Sequence, residues 1–220
     1  MQEYGPKTSV STMPYPDIER LPEQLQQELA RRRNRNVFRM LMHSPEAAPG
    51  FLAMTDAARG RNALPAVLRE LTIVRVGRRY GAPYEVHHHE RIGREAGMSE
   101  AAIQGAINGP FSEGLTADEI LILRATDEIL DHHGLTEPTR DAFLERFNAT
   151  QLVDFVLTIG HYQQVCNFLN TFGIPIEAWR RIGRFFFSNH GFSLGRLLPT
   201  MGWQACKKGG KRFHRRGGRL

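Results

Sequence analysis

LPAVLRELTIVRVGRRYGAPYEVHHHERIGREAGMSEAAI, residues 64–103, decides the fold. Pro65 opens a run in which Leu68, Leu71, Ile73 and Val74 recur at helical spacing, with Arg69, Arg75 and Arg78 set around them. Gly81 stops that run. Pro83 then stands where a first-turn proline belongs, and the helix it starts extends to Ala96 and closes on Gly97, the residue that best tolerates a left-handed cap. Ser99 caps a third helix over residues 100–107. The β-branched stretch Thr72 to Val76 favours a strand on propensity alone. No alternating run flanked by hairpin residues occurs anywhere in the chain, so the periodicity prevails and the segment reads as three successive helices.

The same signals extend outward. On the N-terminal side, Leu21, Leu25 and Leu29 space a helix over Ile18 to Arg33, and Val37 to Met42 form a short apolar run. Ser44 and Pro45 offer an N-cap and a first-turn proline for a helix through Phe51 to Ala58, ended by Gly60 and Asn62. On the C-terminal side, Thr116 caps a long helix carrying Ile120, Leu123, Ile129 and Leu130, which stops at His132, His133 and Gly134. Thr136 to Phe147 and Gln151 to Phe172 complete the series, the last ended by Gly173 and Pro175. The expected fold class is therefore all-α, an array of about seven helices packed pairwise. Residues 18–179 form its domain, 1–17 an N-terminal extension and 180–220 a basic C-terminal appendage.

Composition supports one substantial core, with 41% hydrophobic content in 220 residues. The net charge of +6 is unevenly distributed. Residues 180–220 hold eleven Lys or Arg and no Asp or Glu, so the body before them carries a charge of −5. The high pI thus belongs to one appendage, which invites contact with an anionic surface but no specific nucleic-acid recognition by the domain. Residues Met1 to Pro22 lack the basic and apolar regions of a secretory signal, and no stretch matches a membrane span, so a cytoplasmic location is expected. Cys166 and Cys206 lie far apart without a C-x-x-C or metal-knuckle spacing. Cys166 reads as a buried small hydrophobe. Phosphate-binding glycine loops and the G-x-S-x-G elbow are absent.

The residues with chemical capacity cluster between Glu70 and His89. Glu85 and His89 are four apart on one helix, so they lie on one face and can share a hydrogen bond. Ile92 and Ala96 continue that face, which points the acid and the imidazole inward. Burial and mutual pairing shift their proton affinities in opposite directions, a standard route to a useful acid or base. The alternative is an exposed pair worth a few tenths of a kcal/mol. His87, His88 and His89 cannot converge on one ion, because consecutive helical side chains diverge by about 100°. One or two of them, completed by Glu70, Glu85 or His161, would suit iron or zinc, but the preferred assignment has no metal. Antiparallel packing across the Gly81 and Ala82 turn brings Glu70 toward Glu85 and His89, with Tyr84 and His88 at the rim. His161 lies in an apolar helix and reads either as a core histidine or as a substrate contact.

The stretch 64–103, through its pattern of RE, YE, H and AGMS, resembles the carboxymuconolactone decarboxylase and alkylhydroperoxidase D-like superfamily. A weaker similarity runs from Asn36 to about Trp179 and includes HYQQVCNFLNTFGIP. The peroxidase branch places a C-x-x-C motif between an upstream glutamate and a histidine; Glu70 and His89 match those two, while Ala82 and Glu85 occupy the cysteine positions. Without the thiols, disulfide-exchange peroxidase chemistry lacks its attacking and resolving groups. The resemblance therefore points to the decarboxylase-like branch, with an AhpD-like helical fold. It implies a small unsaturated organic acid or lactone as substrate, no cofactor, and assembly as a homo-oligomer, a trimer or hexamer. On this reading Glu70, Glu85 and His89 are catalytic, with His89 the proton-transfer group, and Tyr84, His88 and His161 contact substrate. A metal-dependent enzyme, a thiol-independent relative of the alkylhydroperoxidases and a non-catalytic binding module are the alternatives.

Overall fold

The computed structural model describes residues 13–177, so most of the expected N-terminal extension, the basic appendage and Cys206 lie outside the described residues. A 3-10 turn at Ile18–Arg20 precedes α1 (Glu23–Arg31), α2 (Asn36–Leu41), α3 (Ala48–Gly60), α4 (Ala66–Arg79) and α5 (Pro83–Glu95). Then come α6 (Glu100–Asn108), α7 (Ala117–His132), α8 (Glu137–Leu144) and α9 (Ala149–Thr171). The all-α class stands, with nine α-helices and no strand among the described residues.

The helix count roughly matches, with the short apolar run at Val37 to Met42 forming α2, and the boundaries shift near the N-terminus, where prolines and left-handed residues act. The expected helix over Ile18 to Arg33 breaks at Leu21, which is extended at φ −76° and ψ 155° before Pro22. It ends at Arg31 because Arg33 and Asn34 adopt positive φ, 58° and 48°. Pro45 does not open α3. It lies in a turn in which the Ser44 carbonyl accepts from the Ala47 and Ala48 N–H groups, and Pro49 is the first-turn proline of the helix. Elsewhere the caps are as read. Gly81 and Gly97 have positive φ, Ser99 accepts from Ala102 N–H, and Thr116 forms a capping box with Glu119.

α4 is the axis of the domain. Leu68 and every residue from Glu70 to Gly77 are buried, and α5, α6, α7 and α9 pack around it. The β-branched run is therefore helical because it is enclosed on all sides, where packing overrides local propensity. Arg75, expected on the outer face, is instead buried. Its guanidinium meets the Asp127 carboxylate at 2.7 and 2.8 Å and donates to the Ala106 and Ile107 carbonyls, so the charge is paired where it leaves water. This ties α4 to α6 and α7 and leaves the opposite side of α4 for α5 and α9.

Glycines set the approach of α4 to α5. A Cβ at Gly77 would lie 3.2 Å from both Glu85 Cβ and Val86 Cγ2. One at Gly93 would lie 2.5 Å from Met98 Cε and 3.5 Å from Glu70 Cβ. One helix contributes each glycine, and between them the two backbones come close enough for Glu70 to reach His89. None of the described helices is long and apolar enough to cross a membrane.

Candidate active site

Glu70 projects from the middle of α4 and is fully buried. Its Oε2 accepts from His89 Nδ1 at 2.6 Å, and its Oε1 accepts from Arg69 Nε and Nη2 at 3.2 and 3.1 Å. Glu85 lies in the first turn of α5, where a negative charge is favoured by the helix dipole. Its Oε1 is 2.9 Å from His89 Nε2. The imidazole is thus held between two carboxylates from two helices, all three groups being buried. The expected convergence of Glu70, Glu85 and His89 is present in the geometry.

The electrostatics follow from this arrangement. Burial opposes a charge on His89, but the Glu85 charge and the hydrogen bonds to Glu70 and Glu85 outweigh it, raising its pKa from 6.5 to about 9. Burial likewise resists ionisation of Glu70, and the hydrogen bond and charge of His89 with the charge of Arg69 hold that carboxyl below its ordinary value. His89 is therefore an imidazolium at neutral pH, hydrogen-bonded through Nδ1 to Glu70 and ion-paired through Nε2 with Glu85. It offers no lone pair to a metal ion in this state. Among the described residues no group of three or more His, Cys, Asp or Glu side chains has metal-holding geometry. His87 is exposed and points away from this cluster.

Glu85 and His89 line a narrow, partly open cavity of about 40 Å³, bounded also by Val37, Phe38, Phe51, Thr55, Tyr84, His88, His161 and Tyr162. Arg35 and Arg59 reach it from its outer side, where they also line a second cleft. Tyr162 bridges the two histidines, its ring 5.1 Å from His89 and 5.4 Å from His161 in edge contacts.

His161 is the complementary group. Thr55 Oγ1 donates to the Phe51 carbonyl at 2.9 Å, so its oxygen is left to accept from His161 Nε2 at 3.1 Å. The ring proton is then on Nε2, and Nδ1 is a lone-pair acceptor. That Nδ1 is buried and has no hydrogen-bond partner among the described residues. Burial lowers the His161 pKa to about 4 against the opposing pull of Glu85, so the ring is neutral at physiological pH. An unpaired acceptor in a cavity wall is a position that a ligand donor would fill.

Tyr84 and His88 are in the cavity wall and are fixed there by a residue that the sequence did not single out. Glu177, beyond α9, accepts from Tyr84 Oη at 2.6 Å and from the Asn36 N–H at 2.7 Å, and lies 2.9 Å from His88 Nε2. Burial disfavours its charge, but the hydrogen bonds from His88 and Tyr84 prevail and hold its pKa at about 2. Burial, reinforced by Glu177, raises the Tyr84 hydroxyl well beyond its ordinary range. No local pattern marked Glu177: it is a single acid after a helix stop. Thr55, Arg35 and Arg59 were also missed, since each is ordinary in its own helix or turn and acquires a role only through packing. Cys166 is fully buried and burial drives its thiol pKa well up, which is the opposite of a reactive thiolate.

Residues 45–128 match the Carboxymuconolactone decarboxylase family, and that segment contains Glu70, Glu85 and His89. The fold is AhpD-like. It superposes on the alkylhydroperoxidase AhpD core of a peroxidase-related protein from Ralstonia eutropha JMP134 with a TM-score of 0.69 at 20% identity, covering 77% of this chain and 93% of that one. A protein of unknown function from Agrobacterium tumefaciens, proposed to be an AhpD antioxidant-defence protein, gives a TM-score of 0.56 at 19% identity over 62% of this chain and 94% of that one. No curated protein matches the chain. The resemblance read from residues 64–103 thus holds in both sequence family and fold.

Proposed function

We propose that this carboxymuconolactone decarboxylase-like domain is a cofactor-independent acid–base catalyst of lyase type acting on a small unsaturated organic acid or lactone. The observation that carries this reading is the buried Glu70–His89–Glu85 relay with its Glu85 end in the cavity wall. Because both His89 nitrogens are engaged, the role anticipated for His89 passes to its neighbour. Glu85 is the group that exchanges a proton with the ligand, and His89, charged by Glu70, compensates the Glu85 carboxylate. The neutral His161 Nδ1 accepts a ligand hydroxyl or acid proton at the same cavity.

Decarboxylation of a conjugated carbonyl acid suits such a site. The bond to the carboxylate breaks, its electron pair passes into the carbonyl as carbon dioxide departs, and the resulting enolate takes at carbon a proton that the Glu85 carboxylate relays from the His89 imidazolium. His89 recovers its proton from solvent, so one proton is consumed per turnover. Charge developing on the enolate forms in a low-dielectric enclosure beside the His89 cation, where electrostatic stabilisation is strongest. A thiol peroxidase is disfavoured by Ala82 and Glu85 at the two cysteine positions and by the burial of Cys166.

The test is carbon dioxide release from a panel of small unsaturated lactone acids and keto acids, with wild type beside Glu85→Gln. Loss of a positioned acid or base should cost about 10² to 10⁴ in rate. Equal turnover by a folded Glu85→Gln variant would sink the assignment. Ligand binding by wild type without turnover or solvent-proton exchange across the panel would favour the binding-module alternative.

A further inference from the structure

The outer mouth of the cavity opens beside a cleft of about 360 Å³ whose walls are unusually cationic. Six arginines, Arg31, Arg32, Arg33, Arg35, Arg59 and Arg91, face two carboxylates, Asp56 and Glu95. Asp56 is taken by Arg31 and Arg32, at 2.8 and 2.7 Å, the same two arginines also meet Glu28 at 2.8 and 3.2 Å, and Glu95 is taken by Arg91 at 2.5 Å. Arg33, Arg35 and Arg59 form no ion pair among the described residues. Arg32 is only 8% exposed, and its Nε is buried with no hydrogen-bond acceptor among the described residues. Three cations without ion pairs among the described residues, beside an Arg32 whose Nη atoms are already held by Asp56, leave the cleft short of an anion. The chain also spends backbone energy to build it, since Arg33 and Asn34 take consecutive left-handed conformations at the turn that presents Arg33 and Arg35.

We infer that this cleft is an anion-recognition site, which holds a carboxylate or phosphate at one end of a ligand whose other end enters the Glu85 and His161 cavity. Arg35 and Arg59 line both spaces and give the two a common wall. The planar guanidinium fork matches either oxyanion, so the chemistry shared by the two is the recognition itself. This deepens the acid–base reading, on which it rests for the identity of the reacting end. The substrate class becomes an acid with a second, remote anionic group, and the remote group supplies affinity while the cavity supplies chemistry.

Titration of the full chain with inorganic phosphate and, separately, with succinate at low ionic strength tests the site, with sodium chloride at matched ionic strength as the control. Calorimetry gives affinity, and arginine side-chain resonances report location. Saturable binding that perturbs Arg33 and Arg59, and that weakens about tenfold in Arg33→Gln, is expected for loss of one charge-assisted hydrogen bond. Tighter phosphate identifies a phosphorylated ligand, and tighter succinate a dicarboxylate. Arg33 is exposed, so that variant folds; Arg33→Lys should restore part of the affinity through charge alone. Binding that the Arg33→Gln and Arg59→Gln variants both retain unchanged, or that chloride abolishes equally at matched strength, overturns the inference. Glu85→Gln separates the two proposals, because it should abolish turnover and leave anion affinity intact.

Discussion

Replacing Glu70 by Gln removes one of the two negative charges that hold the His89 cation while keeping the side-chain volume and an oxygen for the Nδ1–H. In the folded chain this imidazole titrates at about 9 against an ordinary value of 6.5. The difference corresponds to about 3 kcal/mol in favour of the charged ring. Since the folded value is the higher one, that stabilisation is fully present below 6.5 and is lost as pH rises through about 9. With Gln at position 70 the folded value must fall, so the stabilisation is smaller and its loss is complete at a lower pH. The variant should be less stable than wild type by about 1–3 kcal/mol near neutrality, because the cation then depends on Glu85 alone. Urea unfolding at a series of pH values from below 6.5 to above 9, with the His89 ring followed by nuclear magnetic resonance, measures both quantities. A wild-type stability that is flat across that window, or a His89 midpoint that Glu70→Gln leaves unmoved, would refute the reasoning.

Other consequences are as direct. Gly77→Ala puts a methyl 3.2 Å from Glu85 Cβ and Val86 Cγ2, so overpacking should cost about 1–3 kcal/mol and turnover should fall through displacement of Glu85; a variant with wild-type stability would show that α5 yields freely. Glu177→Gln should destabilise by about 1–3 kcal/mol at neutral pH through weaker bonds to Tyr84, His88 and Asn36. Because the folded pKa of Glu177 is depressed to about 2 from 4.5, that difference should shrink as pH falls through this range, and denaturation curves in acid would reveal it. In a Cys206→Ser background, Cys166 should react with a thiol reagent only on unfolding; fast labelling of the native protein would revive a thiol mechanism. The homo-oligomer that the family resemblance implies would cover the exposed Val153, Val156 and Leu157 on α9, so light scattering should find an assembly that Val153→Glu weakens, and a monomeric wild type would dismiss it.

The parts of this fold that were legible in the sequence are those governed by local rules. Gly81, Gly97, Ser99 and Thr116 each mark a helix boundary through a backbone or capping requirement of their own, and each does so in the structure. The Glu70, Glu85 and His89 cluster was legible for a related reason: i,i+4 spacing and a short turn place the groups together before any distant contact forms. What failed depended on neighbours. Pro45 and Pro49 are equally plausible helix starters until the turn at Ser44 takes one of them. Arg75 looks solvated until Asp127, fifty-two residues away, makes its burial tolerable. Glu177 has no pattern at all, and its meaning comes from three partners on two other helices. That His89 lies between two carboxylates is likewise visible only in the geometry, and it is the ground on which the proposed mechanism gives the contact with ligand to Glu85.

The cavity is assembled from two sources with different freedoms. The segment that matches the family, residues 45–128, supplies the hairpin that carries Glu70, Glu85 and His89, whose glycines and buried charges leave little room for change. Val37 and Phe38 come from before it, and His161 and Tyr162 from after it. A substitution at Val37 or Phe38 alters the shape offered to a ligand without touching the Glu70 to His89 bond or the His161 and Tyr162 rings. On the proposed reading, ligand preference can accordingly drift while the Glu70, His89 and Glu85 contacts stay fixed, and engineering a new specificity should begin on α2.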